Sequence, residues 1–336
     1  MFPFHYYTAS QVKQCLESNI LELVDTLEQG FRNMSLGPFG GVVQPGRNVV
    51  PVRDRNGILV SMSAYSAAGD ALATRVVTFY PDNPTSALPI VQGVVLLFHA
   101  GTGSVKCVMD AKEITAYRTA AASAVATKYL ANEKPKILAV MGAGTQAKSH
   151  IVVLSKVFKF DEIRVWNHRE HSAMSLVHGL AECGLKLQYV SSPRDAVHNA
   201  DVVVTATASP TPILQSEWLK TGVHVNVSDK SDIAPLPASS PLRAAVGAPR
   251  PDWQELSEEL MRKAVVYVDS SDWARTESGD IVLSGAEIFG EIGDVVLGTK
   301  ENKRAETTVF KSLGVAIEDV LTADLVYRRL AGPSRN

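Results

Sequence analysis

The chain has 336 residues, 46% of them hydrophobic and 20% charged, so it can bury a large core and is long enough for two domains. Its 33 basic and 35 acidic side chains give a formal net charge of −2, which offers no electrostatic reason to expect a nucleic-acid partner. The N-terminus lacks a basic segment followed by an apolar stretch, and no apolar run reaches the roughly 20 residues that span a bilayer, so we expect neither secretion nor membrane insertion.

The first third of the chain predicts a helix followed by a meander of antiparallel strands. Apolar residues recur at intervals of three and four, as an amphipathic helix requires, at Ile20, Leu23, Val24, Leu27 and Phe31. After a loop rich in Gly and Pro, five short runs of strand-forming residues are separated by turn residues: VVPV, GILVSM, TRVVTFY, GVVLLF and GSVKCVM. Residues 111–130 are rich in alanine, so we predict a helix that leads out of the meander.

From Lys136 the chain alternates strands and helices, which is typical of an α/β fold with a parallel sheet. The order is a strand ILAVM, a helix from Thr145, a strand EIRVW, a helix from Arg169, a strand LKLQYV, a short helix at 193–199 and a strand DVVVTAT. Apolar runs at 223–227 and 264–268 can supply the last strands. The C-terminal segment 314–330 is again amphipathic, so we predict a final helix.

The clearest motif is Gly142-Ala143-Gly144-Thr145-Gln146-Ala147, which follows a predicted buried strand and opens a predicted helix. In this context Gly-x-Gly-x-x-Ala predicts a Rossmann dinucleotide site. Gly142 permits the tight turn, and Gly144 lets the backbone approach a pyrophosphate at the helix N-terminus. The alternative is a tight strand-to-helix turn without a ligand.

The end of the second strand of this domain predicts which dinucleotide is bound. The group that meets the adenosine ribose is expected about 20 residues after the glycines, where the chain reads Asn167-His168-Arg169 without an acidic residue. A carboxylate would repel a 2′-phosphate, whereas Arg169 offers it a planar cationic fork. We therefore predict NADP(H) as the cofactor. Arg169 could instead merely begin a solvated helix.

The three cysteines, Cys15, Cys107 and Cys183, lie far apart and show no spacing of metal ligands. We therefore expect reduced thiols, no metal site and a cytoplasmic protein.

Segments along the whole chain resemble the ornithine cyclodeaminase/mu-crystallin family: GGVVQPGRNVVPV, AYSAAGDALATRVVTFY, ITAYRTAAASAVATKYL, GAGTQA, AVGAPRPDWQEL, ESGDIVLSGAEIF and TTVFKSLGVAIEDV. They cover roughly residues 7–330. The resemblance implies that residues 129–304 form a Rossmann domain that binds NADP(H). It also implies that residues 1–128 and 305–336 form an α+β domain for substrate binding and dimerisation, in a homodimer that acts on an amino-acid-derived C=N bond.

In this family a basic cluster binds the substrate carboxylate, and the matching positions here are Arg47, Arg75 and Arg118. A guanidinium presents paired donors to a carboxylate, although for each arginine taken alone a surface salt bridge is the more frequent role. We expect Arg118 to be exposed on the alanine-rich helix. The mu-crystallin branch has lysine at the position of Arg75, and arginine keeps carboxylate binding but barely releases a proton. The sequence therefore identifies no proton donor, and the catalytic residues stay unknown.

A second departure from the family concerns the reaction. Ornithine cyclodeaminases carry an acid/base aspartate at the position of Pro249, and proline cannot transfer protons. The resemblance therefore implies NADPH-dependent reduction of preformed cyclic ketimines such as piperideine-2-carboxylate, rather than cyclodeamination. We expect the nicotinamide pocket to include Thr205, Thr207, Ser209 and the pair Val246-Gly247, although threonines that end a strand are often only turn or cap residues.

The resemblance leaves a binding function open. The family includes cytosolic thyroid-hormone binding, and the hormone carries an amino-acid carboxylate that the same arginines could hold. A non-catalytic thyroid-hormone-binding protein or a structural crystallin is therefore the alternative to a ketimine reductase.

Residues 227–244 are an expected insertion, because in the family the fifth strand runs directly into the segment that matches Val246-Gly247. The insertion is rich in Ser, Pro, Asp and Ala, which predicts a flexible loop. Such a loop could cover the nicotinamide pocket, or it could bulge into solvent, since doubling a loop's length costs only about 0.6 kcal/mol.

Overall fold

The computed structural model of the chain describes residues 4–182, 184–207, 209, 211–228 and 254–332. These residues form two compact units. The first contains the residues up to Arg118 and those from Gly314 onwards, and the second contains the residues from Thr119 to Leu313.

The first unit contains the predicted antiparallel sheet, with helices packed on one face. In chain order its elements are β1 (His5–Tyr7), α1 (Ala9–Ser18), α2 (Ile20–Ser35), β2 (Val42–Val43), β3 (Asn48–Val52), β4 (Gly57–Ser66), β5 (Ala71–Phe79), β6 (Val91–His99), β7 (Val105–Asp110) and the start of α3 (Ala111–Leu130). Short 3₁₀ turns lie at Gly37–Gly40, Arg53–Arg55, Ala67–Gly69 and Asn83–Ser86. The strand order is β1-β7-β6-β5-β4-β2, with β3 also paired to β4. Strand β1 runs parallel to β7, and the other pairs are antiparallel.

Side chains of β5 alternate between the two faces of this sheet, as the two-residue period of a strand requires. The buried face carries Ala71, Ala73, Arg75, Val77 and Phe79. On the other face Leu72 lies opposite Phe98 of β6, and Val76 lies opposite Val94. These four side chains are only half-buried, so the second face of the sheet carries partly exposed apolar side chains beside polar ones such as Thr74.

The second unit contains the predicted parallel sheet. After α3 its elements are β8 (Ile137–Met141), α4 (Thr145–Val157), β9 (Glu162–Trp166), α5 (Glu170–Ala181), β10 (Leu187–Tyr189), α6 (Pro193–Val197), β11 (Val202–Thr205), a 3₁₀ turn (Ser216–Trp218), β12 (His224–Ser228), α7 (Glu258–Lys263), β13 (Val265–Val268), α8 (Ser271–Glu277), α9 (Gly279–Ser284), β14 (Ile288–Glu291), α10 (Ile292–Leu297) and β15 (Thr308–Ser312). Within the described ranges the strand order is β10-β9-β8-β11-β12-β15-β13-β14, and every pair is parallel.

Strands β14 and β15 were not predicted. Strand β15 lies between β12 and β13, and all five of its residues are buried. Its sequence, TVFKS, has a lysine near its centre, so it does not form an apolar run. In the structure Lys311 is fully buried, and its ammonium group lies 2.8 Å from Asp280 Oδ2. This ion pair lets a charged residue occupy a central strand.

The last helix, α11 (Ala316–Leu330), belongs to the first unit, where it packs on β4 and β5 and against α2. The units differ from the domain boundaries expected from the sequence, because residues 119–128 and 305–313 lie in the second unit rather than the first. Hydrogen bonding explains the difference. Asn226 Nδ2 of β12 donates to Thr127 Oγ1 of α3 over 2.9 Å, and β15 pairs with strands on both of its sides.

The expected insertion at 227–244 overlaps β12. This strand extends to Ser228, so Val227 and Ser228 are buried strand residues and not part of a loop. The rest of the expected insertion, 229–244, lies outside the described residues, as do Val246, Gly247 and Pro249. Among the helices that the structure describes, none has the length and apolar character needed to cross a membrane. Cys15 and Cys107 are buried free thiols.

Candidate active site

The turn after β8 requires a glycine at its first position. Gly142 has a φ of +128°, a backbone conformation that other residues rarely adopt. A Cβ atom at this position would lie 2.4 Å from the carbonyl oxygen of Ala206. The Gly142 N–H donates to the carbonyl oxygen of Trp166, at the end of β9, over 2.8 Å. The motif residue Gly142 therefore packs the turn tightly between two neighbouring strand ends.

The second glycine of the motif leaves open space at the start of α4. Gly144 is the N-cap residue, it is exposed, and an added Cβ would meet no atom within 4 Å. No side chain caps this helix, and its first turn contains no acidic residue. The first N–H groups of a helix have no partner within the helix, so they attract an anion. This cradle fits a dinucleotide pyrophosphate.

The next two positions of the motif support the same interpretation. Thr145 is the exposed first residue of α4, and Gln146 follows it. The Gln146 Oε1 atom is buried and has no hydrogen-bond partner among the described residues. A buried amide oxygen without a partner is costly, and it accepts hydrogen bonds, so a hydroxyl or N–H donor of a ligand at this turn would satisfy it, whereas a pyrophosphate would not. Ala147 is fully buried, which allows α4 to approach the sheet closely.

The end of β9 presents a cation. Asn167 Nδ2 donates to the carbonyl oxygen of Arg169 over 3.0 Å, which folds the segment into a short turn. His168 and Arg169 are exposed, and Arg169 precedes the first residue of α5. Within the described part of the chain, no carboxylate forms an ion pair with Arg169. Its guanidinium is therefore free to meet an anionic ligand.

The end of β11 is held by a buried carboxylate. Thr205 is fully buried, whereas Thr207 is half-buried and donates its N–H to Glu255 Oε1 over 2.8 Å. The Thr207 hydroxyl also donates to Glu255, and it accepts from the N–H of Ser209 over 3.2 Å. Thr207 was named as a site residue from the sequence but Glu255 was not, because the 48-residue separation between the two gives no local signal.

The residues predicted to bind a dinucleotide share one edge of the second unit. Strands β9, β8 and β11 are neighbours in a parallel sheet, so their carboxyl ends meet at the same edge. Hydrogen bonds connect the three ends: Gly142 N–H donates to Trp166, and Ala206 N–H donates to the carbonyl oxygen of Met141 over 2.9 Å. The structure therefore brings the predicted residues of these three ends together.

A buried histidine lies one turn into α4, behind the glycine motif. Burial lowers the pKa of His150 to about 4, so the ring is neutral at physiological pH. Its Nδ1 lies 2.7 Å from the carbonyl oxygen of Gln146, and its Nε2 lies 2.9 Å from the Ser123 hydroxyl. A neutral ring satisfies both contacts when Nδ1–H donates to the carbonyl and Nε2 accepts from the serine. His150 thereby ties α4 to α3.

Two of the predicted substrate-binding arginines lie side by side in the first unit. Arg75 on β5 is 2% exposed, and its Nη1 lies 3.8 Å from Asp319 Oδ2. Arg118 on α3 is fully buried, donates from Nη1 to Glu318 Oε2 over 2.9 Å, and has its Nε 3.4 Å from Asp319 Oδ1. The expectation that Arg118 is exposed was therefore wrong. A buried guanidinium requires a counter-charge, which the two acids of α11 supply.

The third arginine reaches the start of the same helix. Arg47 lies between β2 and β3, and its Nη2 donates to the carbonyl oxygen of Gly314 over 2.7 Å. Gln44 Oε1 accepts the N–H of Ile317 over 3.0 Å, and Glu318 Oε1 accepts the N–H of Val315 over 3.2 Å. All three predicted arginines thus converge on residues 314–319.

Sequence reasoning missed Gln44, Glu318 and Asp319. The two acids stand in an amphipathic helix, where adjacent carboxylates usually mark a solvated face. The available signal was indirect: three arginines at one site need acidic neighbours, and the C-terminal helix was expected to return to their domain.

The sequence and fold match known proteins over nearly the whole chain. A model of the ornithine cyclodeaminase/mu-crystallin family matches residues 6–235 and 241–334. Rat ketimine reductase mu-crystallin is 46% identical, over 96% of this chain and 96% of the rat protein.

Two solved structures share the fold. One is Thermococcus litoralis Delta(1)-pyrroline-2-carboxylate reductase in complex with NADH and L-proline, with a TM-score of 0.85, 30% identity and coverage of 98% of both chains. The other is an archaeal alanine dehydrogenase dimer with bound NAD, with a TM-score of 0.83, 29% identity and coverage of 98% of this chain and 96% of the other. The family match, together with the identity to the rat protein, shows that this chain is a member of the ornithine cyclodeaminase/mu-crystallin family.

Proposed function

We propose that this protein is an NADPH-dependent ketimine reductase, which reduces the C=N bond of cyclic ketimines such as piperideine-2-carboxylate to cyclic amino acids. The proposal rests mainly on one combination of features. A chain 46% identical to a ketimine reductase has both an anion cradle at Gly144 and a buried arginine cluster around Arg118. The first suits a dinucleotide and the second suits a carboxylate.

In this proposal the dinucleotide binds at the carboxyl edge of the parallel sheet. Backbone N–H groups around Gly144 and Thr145 hold the pyrophosphate, and Asn167, His168 and Arg169 meet the adenosine end. The residues assigned to the nicotinamide end are Thr205, Thr207, Val246 and Gly247, of which the last two lie outside the described residues. When bound, NADPH supplies the hydride that reduces the imine carbon.

The phosphorylated cofactor is proposed on the basis of Arg169. The two solved structures of relatives contain NADH and NAD, so the choice of NADPH depends on this chain's own residues. Residues 167–169 include no carboxylate, and the exposed Arg169 guanidinium can donate two hydrogen bonds to a 2′-phosphate. These two features favour NADP(H).

The substrate carboxylate is proposed to bind Arg47, Arg75 and Arg118. Each guanidinium carries five N–H donors, so one arginine can contact both an acid of α11 and a ligand carboxylate. Glu318 and Asp319 hold the buried guanidinium groups in fixed orientations, which lowers the entropy lost on binding. The proton on the imine nitrogen comes from solvent in this proposal, because Arg75 does not release a proton.

We propose that the protein is a cytoplasmic homodimer. The partly exposed apolar face of the antiparallel sheet supports the dimer, since contiguous exposed apolar surface often marks a protein interface. An alanine dehydrogenase of the same fold is a dimer. The buried free thiols of Cys15 and Cys107 fit a reducing compartment.

The test is a spectrophotometric assay of NADPH oxidation against a small panel of cyclic ketimines, with thyroid hormone as a competitor. We expect turnover of piperideine-2-carboxylate, little activity with NADH, and no release of ammonia from ornithine. Binding of NADPH or hormone without turnover of any ketimine would favour the non-catalytic alternative and contradict the proposal.

A further inference from the structure

Glu255 is a buried carboxylate that contacts the chain just after β11, near the proposed cofactor site. The residue is 3% exposed. Its Oε1 accepts both the N–H and the hydroxyl of Thr207, and the Thr207 hydroxyl in turn accepts the N–H of Ser209. One carboxylate oxygen therefore holds Thr207 directly and, through the Thr207 hydroxyl, is linked to the N–H of Ser209.

This segment touches the glycine turn directly. A Cβ atom placed on Gly142 would lie 2.4 Å from the carbonyl oxygen of Ala206 and 3.5 Å from Cγ2 of Thr207. The N–H of Ala206 donates to the carbonyl oxygen of Met141, the residue before the turn. A shift of Thr207 by one ångström would therefore alter the space beside the turn where the pyrophosphate is proposed to bind.

Glu255 is itself fixed by a second buried group. The N–H groups of Glu255 and Leu256 donate to Asp280 Oδ1 over 2.8 and 3.0 Å. The other oxygen of Asp280 lies 2.8 Å from Lys311 Nζ, and both of these side chains are buried. On the other side, the N–H of Ile213 donates to the Glu255 carbonyl oxygen over 2.8 Å. The backbone of Glu255 is thus held from two directions.

Burying a carboxylate is costly. Forming one backbone turn does not by itself explain why a charged acceptor stands at this position. A neutral amide or a water molecule could satisfy the Thr207 N–H at lower cost. What a carboxylate adds is a strong acceptor for two donors on one residue, which fixes that residue in a single position.

We infer that Glu255 is a positioning residue for the cofactor. It holds Thr207 against the glycine turn, so that the dinucleotide site is formed before the ligand arrives. It acts through Thr207 and does not touch the cofactor itself. The inference rests on the proposed function, because it takes this sheet edge to be the dinucleotide site.

The test uses the full-length chain with Glu255→Ala, the conservative Glu255→Gln, and Thr207→Val, which replaces the hydroxyl by a methyl group of similar size. Glu259→Gln is the matched control, since Glu259 is an exposed acid on α7 that pairs with Lys263. Three quantities are measured: amide hydrogen exchange at 204–209 without ligand, the NADPH dissociation constant, and the kcat and KM for piperideine-2-carboxylate.

We expect Glu255→Ala to speed exchange at Thr207 and to weaken NADPH binding about tenfold or more, the effect of losing a hydrogen bond to a charged group. The KM for the ketimine should stay within about twofold, because the carboxylate binds elsewhere. Glu255→Gln keeps an acceptor oxygen, so it should restore most of the NADPH affinity, with a loss of about threefold. The control should match the wild type in every measurement.

A lower melting temperature with unchanged NADPH affinity would make Glu255 a purely structural residue and overturn the inference. If Glu255→Ala does not fold, wild-type exchange and affinity in both Glu255→Gln and Thr207→Val would overturn it as well. If the wild type binds no dinucleotide, the proposed function fails. The exchange measurement then still decides whether Glu255 fixes the segment, and unchanged exchange in the variants would refute that role.

Discussion

Arg169 is the residue on which the proposed preference for NADPH rests. A hydrogen bond between charged groups contributes roughly 1.5–3 kcal/mol, which is about tenfold or more in affinity. Arg169→Ala should therefore weaken NADPH binding by at least that factor and leave NADH binding nearly unchanged, as measured by fluorescence titration. Lys156→Ala is the control, because Lys156 is an exposed cation at the opposite end of α4. Equal losses for both cofactors in Arg169→Ala would refute the assignment.

The three arginines of the proposed substrate site differ in the contacts that each substitution removes. Arg47→Ala removes the hydrogen bond that Arg47 donates to the backbone carbonyl of Gly314. Arg118→Ala would leave Glu318 and Asp319 buried without that partner, at a cost of about 3–5 kcal/mol in the free energy of unfolding. Loss of activity in Arg118→Ala alone would therefore not separate binding from folding.

We expect Arg47→Ala and Arg118→Lys to lower kcat/KM for piperideine-2-carboxylate at least about tenfold, because both remove a paired donor from the carboxylate site. The NADPH dissociation constant should stay within about twofold of the wild type. Steady-state kinetics and cofactor titration on the same preparations test this. An arginine whose variant keeps a normal kcat/KM would not belong to the substrate site.

At the scale of elements, one buried histidine connects α4 to α3, and a second joins two strands of the parallel sheet. His150 contacts Ser123, while His224 of β12 lies 2.9 Å from the Thr308 hydroxyl and 3.2 Å from Asn226 Oδ1. Burial lowers the pKa of His224 to about 3 and that of His150 to about 4, from an ordinary value of 6.5. Both rings are therefore neutral in the folded protein at every pH above about 4.

This neutrality predicts loss of stability in mild acid. Below pH 6.5 the unfolded chain binds protons at these two histidines and the folded chain does not, so the free energy of unfolding falls as the pH falls. The loss approaches about 1.4 kcal/mol per pH unit for each histidine and ends only at its folded pKa. Urea denaturation between pH 6 and 5 should show this slope, before most carboxylates titrate.

His224→Gln removes one of the two groups and should reduce the slope by about half. His178→Gln, which changes an exposed histidine on α5, should keep the wild-type slope. A slope in His224→Gln equal to that of the wild type would show that this histidine is not responsible.

The elements that sequence could predict are those whose signal is local. The glycine motif, the period of α2 and the alanine-rich α3 each depend on neighbouring residues, and each was found. Strand β15 was not predicted because Lys311 interrupts the apolar pattern that would indicate a buried strand. The partner that permits the burial of Lys311, Asp280, lies 31 residues away. The same holds at the site, where the arginines matched a family pattern but their acids on α11 did not stand out.

At the scale of the whole molecule, the partly exposed apolar side chains on the second face of the antiparallel sheet predict self-association. Leu96 of β6 lies at its centre, opposite Thr74 of β5 and Val108 of β7. It is half-buried in the single chain, and so are the paired residues Leu72 and Phe98 beside it. Apolar surface of this kind gains free energy when a second copy covers it, and such homo-oligomers usually have twofold symmetry.

We therefore expect the wild type to show about twice the mass of one chain in size-exclusion chromatography with light scattering. Leu96→Lys should shift this mass towards that of a single chain, because a charge placed on a buried interface loses its hydration. Leu21→Lys is the control: Leu21 is 59% exposed on α2, away from this sheet face, so that variant should remain dimeric. A dimer that survives Leu96→Lys at micromolar concentration would place the interface on another surface of the chain.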